Sequence, residues 1–452
     1  MTRRWFELGI FKAYDIRGIF GKDFDKDEVY KIGYFIPKLL NADKVLVGRD
    51  CRLSSDEILK HLCEGITDSG ADVYDVGLST TPMVYYATAS YGFYASVQIT
   101  ASHNPKEYNG FKISKKGALP VGYDTGLKEL EEMVRNHDIT SENKKGKINK
   151  FDVKDEYINF LRHYVPDVSK LNICVDCSNG MTSLIVKDIL GKSPMYIYDT
   201  MDGSFPNHEP NPLIEKNVKD LEDEVIKNNS DIGIVYDGDG DRVVFIDDLG
   251  RFVPPDLIIG VIGKYYLKKE KGYVLHDIRT SKSVSEYISS LGGTPYMWKV
   301  GHAFAKVKLK EINGIFGGEL AGHYYFRDFY NCDSGILASL IVLNVLLDLK
   351  KEGIKFSDII NSIRKYPNSG EINFKIKQKI KAMEQLRDDT VSVEEPTAFY
   401  DFDGYRIEFK NWWFNVRPSN TEPYLRLIVE ADSNDLLEHK LSFLKSILSK
   451  YE

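Results

Sequence analysis

The sequence predicts an α/β protein of several domains, and three observations support this fold class. The chain has 452 residues, more than one ordinary hydrophobic core holds, so about three or four domains are expected. Apolar segments with strand periodicity alternate with helical patterns along most of the chain. A unit made of a strand, an aspartate, a short polar segment and a helix recurs three times. We therefore expect three related α/β domains followed by an α+β domain.

The recurring unit places an aspartate directly after an apolar strand. Asp50, Asp176 and Asp277 occupy this position, at separations of 126 and 101 residues. Such regular recurrence is typical of repeated domains. The alternative is that any strand-to-helix loop favours Asp and Ser as helix caps, and the sequence alone leaves both interpretations open.

The domain boundaries are predicted from polar and Pro/Gly-rich stretches, of which the clearest is the segment 136–150. The predicted domains are 1–148, 149–250, 251–366 and 367–452. The last of these has its own pattern, because several strands are followed by a C-terminal helix with leucines at spacings of four, three and four. This pattern predicts an α+β domain.

The composition indicates a soluble globular protein, with 42% hydrophobic and 28% charged residues. A net charge of −7 argues against a general nucleic-acid-binding protein. No apolar run approaches the roughly 20 residues that cross a bilayer, and the N-terminus lacks a signal-peptide pattern. Five cysteines do not form a disulfide framework, and Cys174 and Cys177 lie on an apparent strand, which disfavours zinc or redox chemistry. We expect a cytoplasmic protein with no nucleic-acid or membrane partner.

The stretch 100–105, Thr-Ala-Ser-His-Asn-Pro, is the first candidate site. It follows an alternating apolar strand pattern at 95–99, and its proline prevents the strand from continuing. An Asn-Gly pair at 109–110 predicts a tight reversal and a returning strand. We expect the turn to carry the Ser102 hydroxyl to an exposed tip and to bring the Lys112 ammonium back beside it. A nucleophile and a cation on one loop indicate chemistry on an anionic group.

A Ser–His hydrolase is disfavoured at this loop. There is no Gly-x-Ser-x-Gly elbow around Ser102. His103 directly follows Ser102, so on an extended backbone its ring would point the other way. A polar turn without function is the remaining alternative, and groups that activate Ser102 must come from elsewhere in the chain.

The segment Asp237-Gly-Asp-Gly-Asp-Arg242 predicts a metal site between two strands. Asp237, Asp239 and Asp241 alternate, so their carboxylates share one face of an extended backbone. Three such charges repel one another unless a cation lies among them, and oxygen ligands favour Mg²⁺. An EF-hand is disfavoured, because Arg242 replaces the required glycine and Asp248 the final glutamate. A solvated acidic turn is the second alternative.

Two further polar loops are candidate binding segments. The stretch 317–323 is rich in glycine and carries Glu319, which could accept hydrogen bonds from vicinal hydroxyls, and His323, which could transfer a proton. The stretch 417–423, Arg-Pro-Ser-Asn-Thr-Glu-Pro, gathers a guanidinium, hydroxyls and an amide into a possible phosphate clamp. A structural turn is the alternative for the first loop and a proline-rich hairpin for the second.

These four loops, together with Ala-Tyr-Asp-Ile-Arg-Gly at 13–18, occur in an order that resembles the α-D-phosphohexomutases, specifically the phosphomannomutase/phosphoglucomutase group. The resemblance covers the whole chain. It implies four domains around a central cleft, the fourth similar to the TATA-binding-protein fold. It also implies sugar phosphates as small-molecule partners and a monomer or small homo-oligomer.

The resemblance also implies residue roles. Ser102 would be the phosphoserine and would complete the coordination of Mg²⁺ by Asp237, Asp239 and Asp241. Arg17, Lys112 and Arg242 would surround the transferring phosphoryl group, and His103 is also counted among the catalytic residues. The candidates for the proton acceptor are Lys112, His302 and His323, and the sequence does not rank them. The residues expected to bind the sugar and the distal phosphate are Tyr14, Arg279, Glu319, Ala321, Arg417, Ser419, Asn420 and Thr421.

The implied reaction moves phosphate reversibly between O1 and O6 of mannose or glucose through a hexose 1,6-bisphosphate, which is both intermediate and activator. The sequence departs from the family at Ala321, where the family usually has Ser, and at Met181, where small residues are common. The first change removes one hydroxyl from the expected sugar contact. Alternatives are a phosphoglucosamine mutase, a sugar-phosphate-binding protein without catalysis, and a metal-dependent phosphatase.

Overall fold

Four β-sheets follow one another along the chain in the computed structural model, which describes residues 9–140, 144–419 and 424–452. The first sheet has seven strands and the other three have five each. In the described part of the chain, no helix combines the length and the apolar composition that a bilayer crossing requires.

The first sheet is mixed, with helices packed against it. Its strands are β1 (Ile16–Ile19), β2 (Lys44–Arg49), β3 (Asp72–Leu78), β4 (Ala95–Ile99), β5 (Tyr108–Lys115), β6 (Leu119–Pro120) and β7 (Ile148–Lys150). Its helices are α1 (Lys26–Leu40), α2 (Ser55–Asp68), α3 (Thr81–Ser90) and α4 (Leu127–Asn136). The side chain of Thr80 caps α3 by accepting a hydrogen bond from Met83 N, which fixes where this helix begins. Since β7 pairs with β3, the first sheet extends slightly past the boundary predicted after residue 148, and the division into domains stays a prediction.

The second and third sheets are also mixed. The second consists of β8 (Ile173–Asp176), β9 (Met195–Ile197), β10 (Ile232–Tyr236), β11 (Val243–Ile246) and β12 (Phe252–Val253), with helices α5 (Lys154–Arg162), α6 (Val186–Leu190) and α7 (Lys219–Lys227). The third consists of β13 (Tyr273–Asp277), β14 (Thr294–Trp298), β15 (Phe316–Gly318), β16 (Tyr324–Phe326) and β17 (Cys332–Asp333), with helices α8 (Pro255–Tyr266), α9 (Lys282–Ser290), α10 (His302–Glu311), α11 (Gly335–Lys351) and α12 (Phe356–Ile363). One continuous apolar core joins these two units.

The fourth sheet is entirely antiparallel, in the order β18-β22-β21-β20-β19. Its strands are β18 (Ile372–Phe374), β19 (Ala398–Tyr400), β20 (Tyr405–Glu408), β21 (Trp412–Pro418) and β22 (Leu425–Ala431), with helices α13 (Lys379–Val393) and α14 (Asn434–Leu448). Its buried apolar residues form a core of their own. The predicted α+β character of the last segment is confirmed.

The first three sheets share one topology. In each, a strand pairs in parallel with two others: β2 with β3 and β4, β8 with β9 and β10, and β13 with β14 and β15. The third strand of each set then pairs with an antiparallel neighbour, which is β5, β11 or β16. The expectation of three related α/β units is therefore confirmed.

The recurring aspartates make the same side-chain-to-backbone hydrogen bond in all three units. Asp50, Asp176 and Asp277 each accept a hydrogen bond from the backbone N–H two residues later, at 3.0, 2.7 and 2.7 Å. This is an Asx turn at the strand end. The recurrence thus reflects a repeated turn and not generic helix capping.

Candidate functional site

The three candidate loops occupy equivalent places in the three related sheets. The serine loop (residues 100–107) joins β4 to β5, the metal loop (237–242) joins β10 to β11, and the sugar loop (319–323) joins β15 to β16. Each therefore lies between the third strand of its parallel set and the antiparallel neighbour of that strand. The repeated topology gives three turns of one kind, and the packing of the units brings them together.

The Ser102 side chain contacts the metal loop. Its Oγ donates a hydrogen bond of 2.8 Å to Asp237 Oδ2, across 135 positions of sequence. The residue is only 1% exposed, so the expectation of an exposed tip is wrong, because the second unit covers the turn. The backbone of Ser102 has φ +53°, a left-handed conformation that is uncommon for a residue other than glycine.

His103 also departs from its expected orientation. Its Nδ1 lies 3.4 Å from Ser102 Oγ, whereas the alternation of an extended backbone points it away. The left-handed φ at Ser102 removes that alternation and turns both side chains to one side. Burial, together with the nearby Arg242 and Arg17 guanidinium groups, lowers the pKa of His103 well below its ordinary value, so its imidazole is neutral at pH 7.

The three metal-loop carboxylates converge as the alternation predicts. One oxygen from each of Asp237, Asp239 and Asp241 lies within 4.8 Å of the others, and all three residues are fully buried. Among the described residues, Asp239 Oδ1 and Asp241 Oδ1 have no hydrogen-bond partner. Burial and repulsion by Asp241 and Asp239 raise the pKa of Asp237 well above its ordinary value. A hard divalent cation fits this donor set, since it would supply the compensation that these oxygens lack.

Lys112 provides part of the positive charge beside the trio. Its Nζ lies 2.7 Å from Asp239 Oδ2 and also contacts Asp241 Oδ2. Burial opposes the charged ammonium, but the attraction of Asp239 and Asp241 prevails and raises the pKa of Lys112 above its ordinary value. The returning strand thus brings Lys112 to the site, as the sequence predicts.

Two arginines stand in the cleft around the serine loop. Arg17 Nη1 donates to Asn104 Oδ1 at 2.7 Å and also pairs with Asp15. Arg242 Nε lies 3.9 Å from Asp237 Oδ2. Both arginines lie in the wall of the same cavity as Ser102, which is the arrangement expected of groups that stabilise a phosphoryl anion.

The sugar loop is joined to the metal loop through the backbone. Arg242 and His323 form an antiparallel bridge, and Val243 N donates to Gly322 O at 3.1 Å. Both carboxylate oxygens of Glu319 are engaged, by Gly301 N at 2.5 Å and by the Tyr325 hydroxyl at 2.8 Å. Burial raises the pKa of Glu319.

His323 has a carboxylate partner that the sequence analysis missed. Its Nδ1 lies 2.6 Å from Asp333 Oδ2, and Lys306 Nζ lies 2.7 Å from Asp333 Oδ1. Burial opposes ionisation, but Lys306 and His323 hold the pKa of Asp333 below its ordinary value. The one sequence signal was the position of Asp333 in a polar Asn-Cys-Asp-Ser stretch just before the apolar helix α11.

His302 and Tyr14 also border this cavity. The His302 ring lies 5.8 Å from the His323 ring and 5.7 Å from the Tyr14 ring. The Tyr14 hydroxyl donates to Val300 O at 3.0 Å. Burial and the neighbouring Lys306 lower the pKa of His302 well below its ordinary value.

The candidates for the distal phosphate come from the third and fourth units. Arg279 Nη2 lies 2.8 Å from Asp277 Oδ2, and its Nη1 lies 3.1 Å from Glu371 Oε2. Arg417 Nε lies 3.2 Å from Asp403 Oδ1, and Ser419 is 6% exposed. Asn420 and Thr421 lie outside the described residues.

A cavity of about 1640 Å³ connects these groups. Its wall includes residues of all four units: Tyr14, Arg17, Ser102, His103, Lys112, Arg242, Arg279, His302, Glu319, Ala321, His323, Arg417 and Ser419. The three metal-loop aspartates are fully buried, behind Ser102 and Lys112. Every described candidate from the sequence analysis is therefore in this cavity wall or directly behind it.

Comparison with known proteins agrees with this arrangement. Four models described as phosphoglucomutase/phosphomannomutase, alpha/beta/alpha domains I, II and III and C-terminal domain, match residues 9–140, 155–250, 254–366 and 371–441. A phosphomannomutase of Vibrio cholerae is 36% identical, with 99% of each chain covered. A phosphomannomutase of Methanocaldococcus jannaschii is 35% identical, also with 99% of each chain covered.

The fold comparison gives the same result. A phosphoglucomutase/phosphomannomutase family protein of Burkholderia thailandensis has a TM-score of 0.87 and 28% identity, with 98% of this chain and 97% of that chain covered. The matches extend over all four units. The chain belongs to the phosphoglucomutase/phosphomannomutase family of phosphotransferring mutases.

Proposed function

We propose that this enzyme interconverts hexose 1-phosphates and hexose 6-phosphates of mannose, glucose or both, through phosphoserine 102 and a hexose 1,6-bisphosphate. The observation that carries the proposal is the 2.8 Å hydrogen bond from Ser102 Oγ to Asp237, the first carboxylate of the buried trio. The serine hydroxyl is hydrogen-bonded to a carboxylate cluster that could bind a metal ion, and arginines line the cavity beside it. This arrangement is suited to phosphoryl transfer.

The residues around Ser102 would stabilise charge on the transferring group. Phosphoryl transfer depends mainly on positioning and on charge neutralisation. Arg17 and Arg242 supply guanidinium groups in the cavity wall, and Lys112 supplies a buried ammonium. Mg²⁺ held by Asp237, Asp239 and Asp241 would withdraw charge from the phosphoryl oxygens.

The proton of the attacking sugar hydroxyl requires an acceptor, and we assign it to His323. Asp333 engages Nδ1 of this ring, so Nε2 is the nitrogen left for proton exchange in the cavity. A carboxylate at this distance from an imidazole stabilises the imidazolium that forms.

The distal phosphate would be held on the opposite side of the cavity. Arg417 and Ser419 come from the fourth unit and Arg279 from the third. Remote binding of this phosphate orients the reacting hydroxyl toward Ser102. The 1640 Å³ cavity gives a hexose bisphosphate space to reorient, so that either phosphate can face the serine.

Replacement of the serine tests the mechanism. Ser102→Ala is expected to retain the fold and lose nearly all mutase turnover with mannose 1-phosphate and glucose 1-phosphate, since the acceptor oxygen is gone. Intact mass of the wild-type protein after incubation with glucose 1,6-bisphosphate should show one added phosphate, which the variant lacks. Turnover of Ser102→Ala close to that of the wild type would refute the phosphoserine. The same assay with glucosamine 6-phosphate, and with detection of free phosphate, distinguishes a phosphoglucosamine mutase and a phosphatase.

Removal of divalent metal tests whether Asp237, Asp239 and Asp241 bind a cation that turnover requires. Treatment with a chelator is expected to abolish turnover, and added Mg²⁺ is expected to restore it, because the buried carboxylates require a cation. Direct binding of Mg²⁺ by calorimetry should be lost in Asp239→Asn. Turnover that is indifferent to the chelator would remove the metal from the mechanism.

A further inference from the structure

The serine loop is held from behind by a side chain outside the cavity. Arg52 is 2% exposed and lies in the segment between β2 and α2. Its Nη1 donates to Pro105 O at 2.7 Å and to Tyr108 O at 3.0 Å. Its Nη2 donates to Ser102 O at 3.0 Å and to Asn104 O at 2.7 Å. One guanidinium thus donates to three backbone carbonyls of the serine loop and to that of the first residue of β5.

The guanidinium is itself fixed in place. Its Nε lies 3.2 Å from Asp50 Oδ2, and Asp50 Oδ1 accepts from the Ser55 hydroxyl at 2.6 Å. The Phe205 ring of the second unit lies 5.0 Å from the guanidinium carbon. Arg52 is therefore held by its own unit on one side and covered by the metal-loop unit on the other.

The turn needs this support because of its backbone conformation. Ser102 adopts φ +53°, and such residues persist only when their surroundings over-determine them. The local hydrogen bonds are few: Ser102 N donates to Thr100 Oγ1, Asn104 N donates to Ala101 O, and Tyr108 N donates to Pro105 O. The planar guanidinium of an arginine can donate hydrogen bonds to several carbonyl oxygens at fixed positions, whereas a lysine ammonium is a compact point charge with fewer donors.

We infer that Arg52 is a positioning residue for the phosphoryl-transfer step, because it holds the Ser102 hydroxyl against the metal loop. This inference rests on the proposed function. Arg52 is not in the cavity wall, so it does not bind substrate. Loss of its four hydrogen bonds would displace the serine and leave the sugar-phosphate contacts intact.

The test compares Arg52→Met and Arg52→Lys with the control Arg49→Met. Arg49 precedes Arg52 by three positions, but it pairs with the exposed Asp56 on the surface. Because a displacement of about 1 Å costs about 100-fold in rate, kcat of Arg52→Met should fall by about that factor. KM should change by less than about threefold, since substrate binding is untouched. The kcat of Arg52→Lys should lie between those of Arg52→Met and the wild type. The kcat and KM of Arg49→Met should equal those of the wild type.

A second measurement does not depend on turnover. Amide hydrogen exchange over residues 100–110 should accelerate in both Arg52 variants and stay unchanged in Arg49→Met, because the turn opens locally. If Arg52→Met does not fold, Arg52→Lys carries both measurements. A wild-type kcat in a folded Arg52 variant, an increase confined to KM, or unchanged exchange over 100–110 would overturn the inference. A wild-type protein that lacks mutase turnover would instead refute the proposed function, while the exchange experiment would still show whether Arg52 orders the turn.

Discussion

Several ionisable side chains at the cavity are almost completely buried, and their charges determine which anions and cations the cavity can bind. The aspartate trio, Lys112 and Asp333 are each at most 5% exposed. Charges at such depth are tolerated when they are paired, and removal of one partner leaves the other uncompensated. The same principle applies to Asp256, a buried carboxyl in the cavity wall that has no cationic partner within the described part of the chain.

Asp256 gives a prediction about pH. Burial, with smaller contributions from Glu430 and Asp277, raises the pKa of Asp256 from 3.8 to about 6. The unfolded chain releases this proton more readily, so the ionised carboxyl opposes folding above about pH 6 and the penalty disappears as the pH falls toward 4. Asp256→Asn should therefore raise the free energy of unfolding at pH 7.5 by at most about 3 kcal/mol, with little difference at pH 4. Ser281 N, which donates to Asp256, can still donate to the amide oxygen.

Denaturant unfolding at pH 4, 6 and 7.5 measures this difference. The exposed Asp401 provides the control, and Asp401→Asn should leave the pH profile unchanged. Equal profiles for the two variants would show that Asp256 is not destabilised when charged.

At the scale of elements, the site depends on close approach between loops of different sheets. A Cβ atom added at Gly238 would lie 2.5 Å from Ser102 O and 3.3 Å from Pro210 Cβ. The absence of a side chain at Gly238 thus allows the metal loop to pack closely against the serine loop, as the glycines in its sequence predict. What the sequence did not indicate is that the serine, metal and sugar loops are equivalent turns, because their residues share no pattern and only strand pairing reveals the equivalence.

Gly238→Ala tests this approach. The added methyl group should push the metal loop away from the serine loop, at a cost of about 1–3 kcal/mol in stability. Turnover should fall by at least about tenfold, since Ser102 is displaced from Asp237. The control is Gly9→Ala, whose methyl meets nothing closer than 3.6 Å. Full activity in Gly238→Ala would mean that the loops need not approach so closely.

At the scale of the whole molecule, the fourth unit has a core of its own, and polar groups attach it to the third unit beside a stacked contact between the Trp298 and Phe402 rings. Arg406 Nη1 donates to Ile278 O and to Thr280 O of the third unit, both at 2.8 Å. Glu371 Oε2 pairs with Arg279, and Glu430 Oε1 accepts from Lys282 N. A polar interface between separate cores favours rigid-body motion of the units. We therefore expect the fourth unit to open and close over the substrate.

Arg406→Met tests the attachment. Hydrogen bonds from a charged donor contribute about 1.5–3 kcal/mol each, so the fourth unit should dock less tightly. KM for the hexose phosphate should rise by roughly tenfold or more, with a smaller fall in kcat, because Arg417 and Ser419 bind the distal phosphate only in the docked position. Small-angle scattering should show a larger radius of gyration. Arg387→Met, on a partly exposed side chain of the same unit that pairs with Asp388, should change neither quantity, and identical behaviour of the two variants would contradict the docking role.

The sequence by itself determined the α/β class, the repeated aspartate turn and most of the candidate residues, because these depend on local periodicity and on residue types at short spacing. Only the tertiary structure decided that Ser102 is buried, that His103 faces it, that Asp333 lies beside His323, and that Arg52 donates hydrogen bonds to the serine loop. Each of these depends on contacts between segments far apart in the chain or on a left-handed backbone angle. Such contacts produce no regular spacing of residues in the sequence. They depend on which side chains are close in space, and the sequence pattern does not show this.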